Sequence, residues 1–383
     1  MNNTFCSAAW TDINIDFAER TIRHCCKSVP DPFPERLTVD FFNNSARIKK
    51  TRNDLLNGIQ SPDCIQCWED YKLSGTAYRD IKNTWKTSSI AHFIDSIEIF
   101  LDNLCDMSCI YCNELGSSKI ASEKKINNKK NLKIDEDLKV FVSFLEIVAK
   151  KQRYINLNFL GGEVTYSKKF FYFVEHLIEN KTLANSNLTF SMLTNGNSSD
   201  AAILKTVALL NKMPDNWSVC VSISNESTNE LTELVRHGLS WNRFLRNFEI
   251  YLKHEKVCDI KLAPALTIFT VKDFPNLVMT LSEIIINSGI TKRFDILGTW
   301  VVNPEILDTV YSKLEYKELI QSLIVYVKSS NVIHNKHEFE HFLNRLKNRI
   351  GSLELDHEKL DDFIRELVIQ KSNESLWNLK NYL

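Results

Sequence analysis

Between residues 97 and 297 the sequence alternates short apolar, β-prone runs with amphipathic stretches, and this alternation constrains the fold more than any other feature. Residues 97–101, 155–159, 188–193, 218–223, 260–269 and 293–297 read as strands. Helical patterns separate them at 135–148, 167–179, 200–212, 228–254 and 274–286; in the first, Leu138, Phe141, Val142, Leu145 and Val148 share one face behind a capping Asp135. Strand-then-helix repeats imply a parallel sheet, because a parallel neighbour is reached only through a crossover. About six units in roughly 200 residues suit a partial (β/α)6 barrel of α/β class better than a closed eight-fold one. After Pro304 the pattern is helical throughout, at 317–327, 337–350 and 358–370. The expected division is therefore an irregular Cys-rich segment at 1–92, a core at 93–300 and a helical extension at 301–383.

Cysteine is the informative part of the composition. The chain has ten, at Cys6, Cys25, Cys26, Cys64, Cys67, Cys105, Cys109, Cys112, Cys220 and Cys258. With no basic region and apolar stretch of signal type in the first ten residues, metal ligands or buried thiols are expected before disulfides. The same observation, with no apolar run near the ~20 residues of a membrane span, makes the cytoplasm the expected location and excludes a membrane partner. Lys+Arg 47 against Asp+Glu 48 gives a net charge of -1, so no global field favours nucleic acid. The Lys-rich stretch 116–133, with Lys119, Lys124, Lys125, Lys129, Lys130 and Lys133, interleaves no aromatic side chain for base stacking and is expected to be a solvated insertion.

Cys105, Cys109 and Cys112 form CxxxCxxC just after the first core strand. Loops at the carboxyl ends of parallel strands are where such sheets build their sites. Three thiolates on one short loop can hold three irons of a cubane and leave the fourth open, whereas zinc would want a fourth ligand close by. The pattern Cys105-Asp-Met-Ser-Cys109-Ile-Tyr111-Cys112 resembles the signature of the radical S-adenosylmethionine (SAM) superfamily. That resemblance implies a 4Fe-4S cluster that binds SAM and cleaves it reductively to a 5'-deoxyadenosyl radical, which abstracts a hydrogen atom from substrate. It implies Tyr111 packing by the adenine, and Gly161-Gly162-Glu163 gripping the methionyl ammonium, with Val164 where the family usually has proline. It further implies Thr194 and Asn195 facing the ribose, Ser222 and Ser224 in place of an S-I-D segment, and Arg236 toward the ligand carboxylate.

Cys6, Cys25, Cys26, Cys64 and Cys67 precede the core, and with Trp10, His24 and Trp68 they resemble the auxiliary-cluster segments of the SPASM and twitch subgroup. Those segments normally follow the barrel; here the order is reversed. A second 4Fe-4S cluster held by Cys6, Cys64, Cys67 and one of Cys25 or Cys26 is expected, with a structural zinc on the same ligands as the open alternative. Cys220 and Cys258 read as small core residues, with Cys220 as a thiol hydrogen donor the second reading.

The function expected from this resemblance is an oxidoreductase or peptide maturase that oxidises or crosslinks a peptide, supplied by a one-electron donor such as flavodoxin or ferredoxin. A small-molecule dehydrogenase or nucleoside-modifying radical enzyme is the alternative, and a non-catalytic zinc or iron-sulfur sensor is the reading from another class.

Overall fold

The alternating apolar positions do become a parallel sheet. The structure, a computed structural model, describes residues 4–74, 77–84, 94–126, 134–152 and 154–383. Among them the strands are β1 (Asp12–Asp16), β2 (Thr21–Arg23), β3 (Asp31–Pro32), β4 (Ser96–Phe100), β5 (Ile155–Leu160), β6 (Leu188–Thr194), β7 (Ser218–Ile223), β8 (Val257–Leu262), β9 (Ala265–Leu266), β10 (Arg293–Ile296) and β11 (Thr299–Trp300). Nine of these form one sheet in the order β10-β8-β7-β6-β5-β4-β1-β2-β3. Every pairing from β10 to β1 is parallel. The six strands β4, β5, β6, β7, β8 and β10 are the α/β core of a partial barrel, with helices in the connections.

Period-two burial explains why these runs are strands. Ile97 and Ile99 of β4, and Ile155, Leu157 and Phe159 of β5, are buried while the residues between them are half-buried. Helix Ile134–Lys151 presses Leu138, Phe141, Leu145 and Val148 against that layer, and its acidic first turn and basic last turn suit the helix dipole. Phe159 lies 5.1 Å from Phe190 and 5.3 Å from Phe170, ring to ring, which fixes the sheet-to-helix spacing.

Three expectations change. The N-terminal segment is not an irregular unit apart from the sheet: β1 pairs with β4 from Asp12 opposite Ser96 to Asp16 opposite Phe100, and β2 and β3 extend that edge. Alternation in Ile13 and Ile15 supplies the buried face that makes this possible. The sheet thus crosses the expected division at 92, which itself falls outside the described residues. The stretch 228–254 is two helices, Asn229–Val235 and Trp241–Lys253, interrupted where Gly238 takes φ 105. Residues 260–269 hold two short strands instead of one.

The extension beyond residue 300 is helical, as expected, over Tyr316–Ser329, Lys336–Arg349 and His357–Lys371. Leu360, Ile364, Leu367, Leu376 and Leu379 from its last part share a second apolar cluster with Ile110, Leu231, Leu234 and Val235. The end of the chain therefore packs on the cysteine loop. Among the described residues no helix is long and apolar enough to cross a membrane.

Candidate functional site

Cys105, Cys109 and Cys112 lie on an irregular loop at the carboxyl end of β4, and neighbouring backbone holds that loop in shape. The Ser108 N–H donates to the His237 carbonyl and the Ile110 N–H to the Val235 carbonyl, both at 2.9 Å. These acceptors exist only because the helix breaks at 236–240. Gly238 sits where a Cβ would come within 3.2 Å of the Asp106 carbonyl. On the other side Ser117 Oγ donates to the Met107 carbonyl at 2.7 Å, and the Cys105 N–H donates to Ser118 Oγ at 3.1 Å.

The three cysteines are free and half-buried. Burial pushes the Cys109 thiol up to about 12, while the positive charges of Arg236 and Lys371 pull it back and the Cys112 thiol adds to the rise. Burial, then the neighbouring Cys109, raises the Cys105 thiol, and burial raises that of Cys112. Three thiols that oppose one another's ionisation, with two cations beside them, suit a group of high positive charge. The loop also leaves room: a Cβ on Gly116 would come within 3.0 Å of Cys112 Sγ. Among the described residues no three His, Cys, Asp or Glu side chains gather as they would around a single metal ion. A cubane spreads its thiolates over separate irons, so it fits this loop.

Gly161 and Gly162 follow β5 with φ 91 and 47. A Cβ on Gly162 would lie 2.4 Å from the Leu104 carbonyl oxygen, so the glycines are required for β5 to dock beneath the cysteine loop. Glu163 closes the contact by donating its N–H to the Leu104 carbonyl at 2.6 Å. Its carboxylate is engaged within the chain itself. The side chain is fully buried, with Oε1 accepting from the Thr165 N–H (3.1 Å), Thr165 Oγ1 (2.7 Å) and Thr194 Oγ1 (2.8 Å), and Oε2 from the Asn195 N–H (2.6 Å). Four donors fill the lone-pair sites of a carboxylate. Glu163 is thus a strut between β5 and β6.

The strut positions Thr194 and Asn195 at the end of β6. Asn195 Nδ2 donates to Asp106 Oδ1 at 2.9 Å, and Asn197 Nδ2 donates to Asp106 Oδ2 at 3.2 Å and to the Gly238 carbonyl at 2.9 Å. Asp106, between two of the cysteines, was not singled out by its sequence context, yet it ties the loop to β6. Ser222 is buried in β7, and the Ser224 N–H donates to the Thr194 carbonyl at 2.9 Å, so these strand ends lie side by side.

Arg236 is neither an exposed helix residue nor a free ligand for a carboxylate. It is 5% exposed, and its Nε and Nη2 donate to Glu226 Oε2 at 3.0 and 2.9 Å. Tyr111 Oη donates to Glu226 Oε1 at 3.0 Å, and the guanidinium lies 5.7 Å from the Tyr111 ring centre. Buried charge must be paired, and Glu226, two residues after Ser224, supplies the partner.

The N-terminal thiols form a second site. Cys6, Cys25, Cys64 and Cys67 line one partly open cavity with His24 and Arg79, with about 350 Å³ of atom-free space counting the part open to solvent. Cys26 is exposed and is not among the lining residues, although its thiol hydrogen-bonds that of Cys25. Burial raises the Cys6 thiol to about 11 and that of Cys64 to about 12, and holds His24 down at about 4, so its ring is neutral. His24 Nε2 is 3.8 Å from Cys64 Sγ, a neighbour the spacing did not identify. This cavity belongs to the amino end of β1, since Cys6 leads into helix Ala8–Thr11 and Cys25 follows β2. The cysteine loop lies at the carboxyl end of β4. The five paired residues of β1 and β4 lie between those ends, so the two sites stand at opposite ends of this strand pair.

Cys220 is buried as expected, whereas Cys258 is exposed where the β7–β8 register skips it, between Val257 opposite Val219 and Asp259 opposite Cys220. Lys119, expected to be solvated, donates to the Asp106 carbonyl at 3.2 Å, while Lys129, Lys130 and Lys133 lie outside the described residues.

The radical SAM superfamily model matches residues 100–262, from the last residue of β4 to the end of β8. No curated protein matches the chain. Among solved structures, Streptococcus suis SuiB bound to S-adenosylmethionine is similar at 16% identity and TM-score 0.43, covering 82% of this chain and 60% of that one. SuiB bound to the precursor peptide SuiA is similar at 14% identity and TM-score 0.43, over 82% and 59%. The chain thus spans about 60% of the SuiB length. The cysteine loop, the glycine pair beneath it and strands β5 to β8 all lie within the residues that the radical SAM superfamily model matches.

Proposed function

We propose that the chain is an enzyme that reductively cleaves SAM at the Cys105, Cys109 and Cys112 loop and takes a hydrogen atom from a peptide, leading to its oxidation or crosslinking. The observation that carries this reading is the gathering of the three-thiol loop, the Gly161-Gly162 turn and Asn195 at the carboxyl ends of β4, β5 and β6. A four-iron cluster with SAM bound there supplies one-electron cleavage of the sulfonium and a carbon radical able to take a hydrogen atom. The chain's own residues hold the geometry. Asp106 fixes the loop through Asn195 and Asn197, and Tyr111 is oriented by Glu226. A flavodoxin or ferredoxin would supply the electron.

A second cluster at Cys6, Cys25, Cys64 and Cys67 belongs to the same reading, with zinc as the alternative that metal analysis decides. Its cavity lies at the opposite end of the β1–β4 pair from the radical loop, which supports an electron-accepting role over contact with the C–H bond under attack. In a net two-electron oxidation, the hydrogen atom leaves to the 5' carbon, a proton leaves to solvent, and the remaining electron passes to this second site.

The test is anaerobic incubation of reconstituted protein with dithionite and SAM. Wild-type protein should release 5'-deoxyadenosine, and the Cys105→Ala/Cys109→Ala/Cys112→Ala variant should release none while keeping the N-terminal metal. Equal release by both would overturn the assignment. Precursor-type peptides are the first substrates to add to that incubation, with product followed by mass spectrometry.

A further inference from the structure

The helical extension contributes one side chain to the cysteine loop. Lys371 ends helix His357–Lys371, and its side chain is 1% exposed. Its Nζ donates to Ser108 Oγ at 2.8 Å, and Ser108, next to Cys109, is itself fully buried. Burying an ammonium is costly unless something nearby compensates it. The carboxylate it meets, Glu123, stands off at 3.5 Å and is shared with Gln370. Neighbouring contacts fix the helix end: Asn373 Nδ2 meets His237 Nδ1 at 3.3 Å, and the His237 carbonyl holds the Ser108 N–H. Lys371 also lies outside residues 100–262, so it is a feature of this chain beyond the matched domain.

We propose that Lys371 is a positioning residue for the cysteine loop, the buried cation that raises the reduction potential of the cluster held by Cys105, Cys109 and Cys112. The inference rests on the reading of that loop as a cluster site. Three thiolates give a bound cubane a net negative charge, and one electron from an external low-potential donor makes it more negative by one unit. A fixed positive charge nearby favours the more negative state, and burial strengthens the effect by lowering the local dielectric. Lys119 also meets the loop, at the Asp106 carbonyl, but of the cations beside it Arg236 and Lys371 are the two that bear on its thiols Cys109 and Cys112, and they differ. Arg236 and Lys371 both act on Cys109 and Cys112, but Arg236 is paired at 2.9 Å with Glu226, which opposes it at Cys109, whereas Glu123 stands 3.5 Å from Lys371. Lys371 therefore contributes the less compensated charge.

The test is an EPR-monitored redox titration of reconstituted protein, following the reduced-cluster signal that changes when SAM is added, which separates this cluster from any at the N-terminal site. Lys371→Met should lower the midpoint potential, and Lys371→Arg should restore much of it. Glu123→Gln leaves Lys371 in place and removes its partial partner, so it should shift the midpoint upward. Shifts of opposite sign are not produced by loosening the loop, which lowers iron content in either variant. If Lys371→Met does not load iron, the upward shift in Glu123→Gln carries the test. Midpoints equal to wild type in Glu123→Gln and in iron-replete Lys371→Met overturn the proposal. A wild-type protein with no SAM-responsive signal overturns instead the cluster reading on which it rests.

Discussion

Replacing Glu163 by Gln separates a strut from a ligand, because the two roles predict different losses. In the folded chain the carboxylate accepts from two backbone amides, Thr165 and Asn195, through different oxygens. The threonine hydroxyls can turn to accept from an amide NH2, but a backbone N–H cannot. The substituted side chain would offer one oxygen for two N–H groups and set its NH2 against the other. The cost is one charge-assisted bond of about 1.5–3 kcal/mol and a buried N–H left unsatisfied at about 1–3 kcal/mol, with partial relaxation bringing the sum to roughly 2–4 kcal/mol. Against a typical total of about 5–15 kcal/mol this is a large fraction. Two measurements check it: the urea unfolding midpoint of metal-free Glu163→Gln, and hydrogen exchange of peptides covering residues 194–197. Both should report loosening, with exchange fastest where Asn195 loses its acceptor. Calorimetry with SAM then reads the consequence for binding. Wild-type stability and exchange, combined with a selective fall in SAM affinity, would refute the strut and restore the carboxylate as a direct ligand.

Three other outcomes follow from the same geometry. Cys25→Ala should lose the N-terminal metal whereas Cys26→Ala keeps it, measured as metal per chain in protein already lacking Cys105, Cys109 and Cys112, because only Cys25 lines the cavity. Arg236→Met should destabilise the chain by about 3–5 kcal/mol by leaving Glu226 charged and buried, and Arg236→Met/Glu226→Leu should recover much of that loss in urea unfolding. Burial holds the Glu163 carboxyl above the usual carboxylate range despite its four donors, so the folded chain binds that proton more tightly than the unfolded one. Its contribution to stability therefore declines as pH rises from the unfolded value through the folded one, and stability profiles from pH 4 to 8 should lose that downward component in Glu163→Gln.

Local pattern sufficed for much of this protein. Period-two and helical periodicities, read between residues 97 and 297, announced the six parallel strands, because a strand buried on one face must alternate whatever its partners are. The spacing of Cys105, Cys109 and Cys112 announced the loop, because three ligands so close in sequence need no distant element to bring them together. Spacing could not rank Cys25 against Cys26, since which of two adjacent thiols lines the cavity is decided only once β2 is laid beside β1. Nor could it show that Ile13 and Ile15 join the main sheet across some eighty residues of intervening chain. Glu163 and Arg236 were found by motif, but their partners within the chain were not, because which neighbours meet a charged group depends on which side chains desolvate it. Glu226 lies ten residues from Arg236 in sequence, and Lys371 lies 263 from Ser108; both meet their partners only when the broken helix and the C-terminal helix close on the cysteine loop.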